Sequence, residues 1–353
     1  MINSKTLYFL FSFLFIFLPI SFFGVNDFWD GVSVSYAFET KNNIGLDSYM
    51  KQGSYFVQFN LYKIFFKIAE DFNISYKYLI NIFYVIIIYL LANELENFSK
   101  IVLRLKNFFS ILPGIILIIF PIWSVLISSI FISHLLSVLF IFIGSRLFFN
   151  KNFLIRSFSL LLIIISFELK SNFLFGIVLI FAYELRKNSI HNLMNYVNTL
   201  FIIFFNIFLF LIFKIFLPPS GLWEGHNQII NILNWYNIKH FIWHALLYSQ
   251  FYIPLLISNF LLFFFLKKLN FIKIVKEKNF FIFLTLLIMN ISSMLPYLAV
   301  LKATKIFDYN YSPRYAFLLA PAFALLFSYN FNFYFNKLKN TYFLKFNIIL
   351  FIF

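Results

Sequence analysis

The sequence predicts an all-α protein, a polytopic transmembrane helical bundle of about 10–11 spans that forms a single domain over residues 1–353. Two observations lead to this prediction. Hydrophobic residues make up 62% of the chain and charged residues only 12%, which is about half the charge of an ordinary soluble protein. Mean hydropathy is +0.88, and apolar runs long enough to cross a bilayer recur along the chain.

The individual spans follow from the charged or polar residues that interrupt the apolar runs. We expect about ten complete spans, near 7–24, 76–95, 108–125, 128–147, 156–169, 173–185, 196–217, 246–266, 280–301 and 314–335. Residues 344–353 begin a further run of about half a membrane thickness. The first run is longer than the apolar part of a usual secretory signal, and no small-residue cleavage site follows it, so we expect it to remain as a span.

Basic residues indicate which side of the membrane each loop faces. With a cytoplasmic N-terminus, every inner loop carries Lys or Arg, and the inner loops together hold more than half of the 28 basic residues. Examples are Lys100 and Arg104 after the second span, and Arg146 and Arg156 between the fourth and fifth. The net charge of +15 is therefore explained by topology, and we expect no nucleic-acid partner.

Two long loops, 25–75 and 218–245, fall on the outer side. In the first loop, polar residues recur every three or four positions from Asn60 to Glu70 among apolar residues, which predicts an amphipathic helix lying in the headgroup plane. The second loop repeats this pattern and adds tryptophans suited to the interface. Most of the 13 carboxylates are also on the outer side, which is where we expect the chemistry.

The first candidate site residues follow the first span in the segment NDFWDG, which contains Asp27 and Asp30. A carboxylate this close to the bilayer is partly desolvated, which suits a general base or, with a neighbour, a ligand of a divalent cation such as Mg²⁺ or Mn²⁺. Glu39, further along the loop, is a candidate accessory group. The alternative is that Asp27 only caps a following helix.

The turn after the fifth span, in the segment ELKSN, contains Glu168 and Lys170. A charged residue at membrane depth costs about 2.5 to 3.5 kcal/mol on insertion scales, a cost that usually persists for a functional reason. Glu168 is therefore a candidate accessory group and Lys170 a candidate phosphate ligand. The alternative is a tight hairpin in which both charges reach water.

A third group of candidates lies near the start of the last complete span. Arg314 follows Pro313 at the outer end of that span, and Lys302 lies nearby. A guanidinium in this position can hold a phosphate through two hydrogen bonds, although it could equally extend to lipid headgroups. His226, two residues after Glu224, is a further accessory candidate, and the absence of Cys excludes thiolate metal sites and cysteine nucleophiles.

Taken in order, these patterns resemble the GT-C superfamily of membrane glycosyltransferases, which use polyprenyl-phosphate sugars as donors. The resemblance covers nearly the whole chain and rests on four short segments. These are NDFWDG with the continuation KQGSYFVQFNLYKIF, the paired spans LPGIILIIFPIWSVLISSIFISHLLSVLFIFIGSRLFF, the turn ELKSN, and RYAFLLAPAFALL.

The resemblance implies a bacterial enzyme of the inner (cytoplasmic) membrane whose active face is periplasmic or extracellular. Such an enzyme moves a sugar from a polyprenyl-phosphate-linked donor to a glycan, lipid or protein acceptor of the cell envelope, in contact with membrane lipid. Asp27 would be the acid of the first loop, and Asp30 could replace it, because only one carboxylate stands where the family usually has an adjacent pair. Lys170 and Arg314, with Lys302, would hold the lipid phosphate as the sugar leaves.

Two other functions are compatible with a multispanning chain. An O-antigen or polysaccharide polymerase would need a late outer loop rich in Arg, whereas loop 218–245 has Lys239 as its one basic residue. A flippase or transporter of lipid-linked oligosaccharides would need charged or broken spans near the midplane and two matching halves. The span interiors are almost free of charge and no matching halves are evident, so the sequence favours the transferase.

Overall fold

In a computed structural model of the chain, the structure describes residues 3–23, 34, 36, 38–40, 56–119, 132–169, 172–187, 196–216, 239, 278–299 and 318–337. Within these ranges the chain is helical apart from short turns, and no strand occurs. The all-α prediction is confirmed for this part of the chain. The predicted span 246–266, the run 344–353 and all of loop 218–245 except Lys239 lie outside the described residues.

The helices of these ranges are numbered α1 to α10; α2 lies in the predicted loop 25–75, and the others overlap predicted spans, although their crossing of a membrane stays a prediction. Helix α1 comprises Ser4–Ser12, a π-helical stretch Phe13–Phe17 and Leu18–Phe23. The π-helical segment Ser99–Leu103 extends α3. The remaining bounds are α2 Phe56–Asp71, α3 Tyr76–Phe98, α4 Phe108–Ile119, α5 Ile132–Leu147, α6 Phe153–Leu169, α7 Phe173–Lys187, α8 Val197–Phe216, α9 Lys278–Ala299 and α10 Leu319–Lys337.

Six of these helices form a closed circuit of contacts. Helix α3 packs against α4 and α5, α5 against α7, α7 against α9, α9 against α10, and α10 against α4. The other helices attach to this circuit: α1 to α3 and α4, α6 to α5, and α8 to α7. At the junction of α3, α5 and α7, the buried ring of Phe98 meets those of Phe142 and Tyr183 edge to face, with centroids 6.1 and 5.4 Å away.

The closest helix pair, α5 and α6, depends on a small residue. A Cβ placed on Gly144 would lie 2.8 Å from Ile163 Cγ1 and 3.2 Å from the carbonyl oxygen of Ser159. The Ser159 hydroxyl donates to the Gly144 carbonyl oxygen at 2.8 Å. A glycine and a serine at a helix contact let the backbones approach and place a hydrogen bond between them, a device common in membrane helices.

One helix in the described part of the chain, α3 with its π-helical extension, Tyr76–Leu103, is long and apolar enough to cross a membrane. The other apolar helices are shorter, among them Phe108–Ile119 and Ile132–Leu147. Large apolar side chains are nevertheless exposed on several helices, such as Phe153 at 78% and Phe204 at 69%. The helices therefore present apolar surface both to the core and to their surroundings.

Candidate functional site

The charged residues near one end of the bundle are held together by contacts between helices. Arg146, near the end of α5, donates to Glu94, near the end of α3, through Nε to Oε2 at 2.8 Å and through Nη2 to Oε1 at 2.9 Å. Lys187, at the end of α7, donates to the carbonyl oxygen of Phe149 at 3.4 Å. We call this the basic end, defined by Lys100, Arg104, Lys106, Arg146, Lys151, Arg156, Arg186 and Lys187.

The first turns of α6 and α8 also lie at the basic end. Arg156, in the first turn of α6, donates from Nη2 to Oδ1 of Asn198, in the first turn of α8, at 2.8 Å. Burial lowers the pKa of Arg186, and the nearby positive charge of Arg104 lowers it further. Burial also lowers the pKa of Lys187. The ends of α3, α5 and α7 and the first turns of α6 and α8, which flank the connections predicted to be cytoplasmic, therefore lie together.

Each carboxylate that the structure describes at the basic end already has a hydrogen-bond or ion-pair partner. Glu94 binds Arg146 in the fork described above, and Glu96 pairs with Lys100. Glu184 is 1% exposed and accepts from the backbone N–H groups of Asn198 and Thr199 at 2.9 Å each, and from the Thr199 hydroxyl. It thereby caps the N-terminus of α8, where the helix dipole favours a negative charge. Glu94 and Glu184 join different helices, and Glu96 pairs within its own helix, so all three are poor candidates for catalysis.

A second polar group lies between the start of α5, the end of α6 and the start of α7. The Ser166 hydroxyl donates to the Ser137 carbonyl oxygen at 2.9 Å, and Asn172 Nδ2 donates to Ser166 Oγ at 2.7 Å and to the Ser137 carbonyl oxygen at 3.3 Å. The Ser137 hydroxyl donates to the His134 carbonyl oxygen at 2.7 Å. All four side chains are buried. We call His134, Ser137, Ser166 and Asn172 the polar cluster.

Asn172 holds this cluster in place because of its position in the chain. It directly precedes α7, and its carbonyl oxygen accepts from the Gly176 N–H at 3.0 Å, as in an N-cap residue. Its side-chain amide, however, reaches across to α5 and α6, which leaves Oδ1 buried without a hydrogen-bond partner. An unpaired buried acceptor costs about 1–3 kcal/mol, so Oδ1 is available to a donor on a ligand or a water.

Glu168 lies near the end of α6, two residues after Ser166, a spacing at which two side chains of a helix do not face each other. Its carboxylate is partly buried, and it makes no hydrogen bond or ion pair within the part of the chain that the structure describes. Burial of a charge without a partner is costly. Glu168 thus differs from the three carboxylates of the basic end, each of which has its partner.

The described part of segment 25–75 packs against α3 and α6. The ring of Phe38 stacks near Phe66 of α2 and Tyr76 of α3, with centroids 5.2 and 4.9 Å away, and α2 packs on both α3 and α6. The polar stripe that begins at Asn60 is exposed along α2, whereas residues such as Phe65 are buried, so the predicted amphipathic helix is confirmed. Tyr76 begins α3, so this packing lies opposite the basic end.

The structure describes two of the predicted site residues. Glu39, next to Phe38, is exposed, and Glu168 is partly buried. Phe38 contacts α2, and α2 also packs on α6, the helix that carries Glu168. The other predicted residues lie outside the described ranges, so their convergence stays a prediction; they are Asp27, Asp30, Lys170, His226, Lys302 and Arg314. Within the described ranges, no three His, Asp or Glu side chains come together as metal ligands.

The polar cluster was not predicted as a site. Asn172 is the last residue of the segment ELKSN singled out for Glu168 and Lys170, and Ser166 lies two residues before that segment, but a serine in an apolar span and an asparagine before a helix are common structural residues. The one usable signal was an asparagine at a span start, directly after a charged turn. The pairing of Glu94 with Arg146, 52 residues apart, was likewise not visible in the sequence.

In comparisons with protein families, with curated proteins and with solved structures, this chain has no match. The function of the chain is therefore inferred from its own residues.

Proposed function

We propose that this chain is a polytopic membrane glycosyltransferase of the GT-C type. It moves a sugar from a polyprenyl-phosphate donor to a glycan, lipid or protein acceptor of the cell envelope, on the non-cytoplasmic face of a bacterial inner membrane. The observation that carries the proposal is the contrast between the two ends of the bundle. Within the described residues, Glu94, Glu96 and Glu184 at the basic end all have a hydrogen-bond or ion-pair partner, whereas Glu168 near the other end is partly buried with no partner, and Oδ1 of Asn172, four residues further along the chain, is buried and unpaired.

Membrane embedding is supported by the distribution of apolar and charged side chains. Large apolar groups face outward on α1, α3, α6, α8 and α9, among them Phe9 at 60% and Leu154 at 74% exposure. Water-soluble monomers rarely expose so much contiguous apolar surface, whereas a bilayer covers it. Basic residues at the described ends of α3, α5, α6 and α7 lie at one end of the bundle, which supports an arrangement in which these ends face the cytoplasm.

The chemistry of the opposite end suits a hydroxyl-rich substrate. Glu168 offers carboxylate oxygens and Asn172 a carbonyl oxygen, all of which accept hydrogen bonds. In the proposed reaction an acceptor hydroxyl oxygen attacks the anomeric carbon, the bond from that carbon to the phosphate oxygen breaks, and polyprenyl phosphate leaves with the electron pair. Asp27 takes the hydroxyl proton, while Lys170 and Arg314 stabilise the leaving phosphate.

The direct test measures transfer of labelled sugar in membranes that contain the full chain, using a panel of polyprenyl-phosphate hexoses and pentoses. Asp27→Asn is expected to abolish transfer while leaving expression unchanged, because the amide cannot accept the proton. Asp71→Asn, on the exposed face of α2, is the matched control and is expected to keep full activity. Full activity of Asp27→Asn would refute the role of Asp27, and no transfer from any donor would refute the transferase.

Orientation has a separate test, which the absence of native Cys makes clean. Asp71→Cys and Lys151→Cys each introduce one thiol, at exposed positions on opposite sides of the proposed topology. A membrane-impermeant maleimide added to intact cells is expected to label Asp71→Cys and to spare Lys151→Cys until the membrane is opened. The reverse pattern would place the proposed active face in the cytosol.

A further inference from the structure

A groove of about 210 Å³ lies between α6 and α8 at the basic end. Its lining is almost wholly apolar, with one cation at its edge; the lining residues are Phe153, Arg156, Ser157, Leu160 and Phe201. The groove lies on the surface of the bundle, because Phe153 is 78% exposed and Phe201 46% exposed. An apolar groove edged by a guanidinium matches a molecule with an anionic head and an apolar tail.

The guanidinium of Arg156 is held in place by contacts that include no carboxylate among the described residues. Its Nη2 donates to Asn198 Oδ1 at 2.8 Å, and its central carbon lies 4.7 Å from the ring centroid of Phe148. The carboxylate of Glu184, which also binds Asn198, is occupied by the backbone N–H groups of Asn198 and Thr199. Arg156 thus keeps its charge and further donors for a ligand.

The surrounding charge is also positive. Lys187 lies over the ring of Phe149, at 4.7 Å from its centroid, next to the Phe148 that supports Arg156. Lys151 is exposed in the turn that precedes α6. Neither lysine nor Arg156 forms an ion pair with a carboxylate among the residues that the structure describes.

We infer that the α6–α8 groove binds one anionic glycerophospholipid of the cytoplasmic leaflet, with its phosphate on Arg156 and an acyl chain along Leu160 and Phe201. The inference rests on the proposed membrane topology, which places the basic end in that leaflet. Anionic lipids concentrate there and are attracted by basic residues near the membrane surface. The Ser157 hydroxyl adds a second donor at the level of the headgroup.

The experiment uses the full chain in mild detergent and titrates it with phosphatidylglycerol or with phosphatidylcholine of the same acyl chains. Native mass spectrometry gives the apparent Kd of the first bound lipid. The wild type is expected to prefer phosphatidylglycerol, and Arg156→Gln to reduce that preference about tenfold, as expected for a lost charged hydrogen bond. Arg156→Lys keeps the charge but loses the planar fork, so an intermediate preference is expected.

Two further arms separate a lipid from a simple anion. Phe201→Ala is expected to weaken phosphatidylglycerol binding, because the acyl chain loses its contact, and inorganic phosphate is expected not to displace the lipid. Lys67→Gln, an exposed cation on α2 away from the groove, is the matched control and is expected to bind like the wild type. Displacement by inorganic phosphate with no effect of Phe201→Ala would overturn the inference.

Failure of this inference is distinguishable from failure of the proposed function. A chain that transfers sugar but binds both lipids equally, or that is unaffected by Arg156→Gln, retains the proposed function and loses the lipid site. A chain that prefers phosphatidylglycerol through Arg156 but transfers no sugar has the lipid site and lacks the proposed activity.

Discussion

Removing the charge of Glu94 tests the strongest interhelical contact in the described part of the bundle. Glu94→Gln leaves the guanidinium of Arg146 at a mostly buried site without its carboxylate. Removal of one partner of a buried pair typically costs about 3–5 kcal/mol. The Arg146 side chain remains 32% exposed and Glu94 10% exposed, so water screens part of the loss, and we expect about 3 kcal/mol, the lower end of that range.

The double variant Glu94→Gln with Arg146→Gln provides the decisive comparison. It removes both charges and lets two amides bond to each other, so its loss of stability is expected to be smaller than the sum of the two single losses by more than about 1 kcal/mol. The free energy of unfolding is measured for the detergent-solubilised protein by titration with a denaturing detergent. Lys151→Gln, at an exposed position with no acidic partner, is the control and is expected to change stability by less than about 0.5 kcal/mol.

Strict additivity of the two single changes would refute the idea that this pair couples α3 to α5. A loss of stability for Glu94→Gln no larger than that of the Lys151→Gln control would refute the expected loss of about 3 kcal/mol.

Three other changes follow from the packing, each measured by the same unfolding titration. Glu184→Gln replaces the anion that caps α8 and accepts from Thr199, so a loss of stability of about 1–2 kcal/mol is expected. An unchanged stability would show that this cap contributes little to the stability of α8. Gly144→Ala forces α5 and α6 apart, with an expected loss of about 1–3 kcal/mol, and wild-type stability would contradict the close approach. Gly114→Ala places a Cβ 2.6 Å from the ring of Tyr8, which is fully buried and donates a hydrogen bond to a carbonyl oxygen of α4. A comparable loss of stability is therefore expected, and an unchanged stability would mean that the ring can move.

Much of the local structure could be predicted because apolar runs and charged interruptions are local signals. The expected span 76–95 begins at the same residue as α3, the expected span 156–169 ends at the same residue as α6, and the expected span 173–185 begins at the same residue as α7. The exposed stripe of α2 follows in the same way from helical periodicity. The helix ends that carry Arg146, Arg156 and Lys187 lie together, whereas the side of the membrane that they face stays a prediction from the Lys and Arg positions.

The partners of individual side chains could not be predicted, because they depend on how each helix is rotated and which helices are neighbours. The sequence by itself determined that Glu94, Glu184 and Arg146 lie near helix ends on one side. Only the tertiary structure decided that Glu94 binds Arg146 while Glu184 caps another helix. It also decided that the amide of Asn172 turns to α5 and α6 and leaves its oxygen unpaired, because that choice depends on carbonyl and hydroxyl groups brought close only by packing.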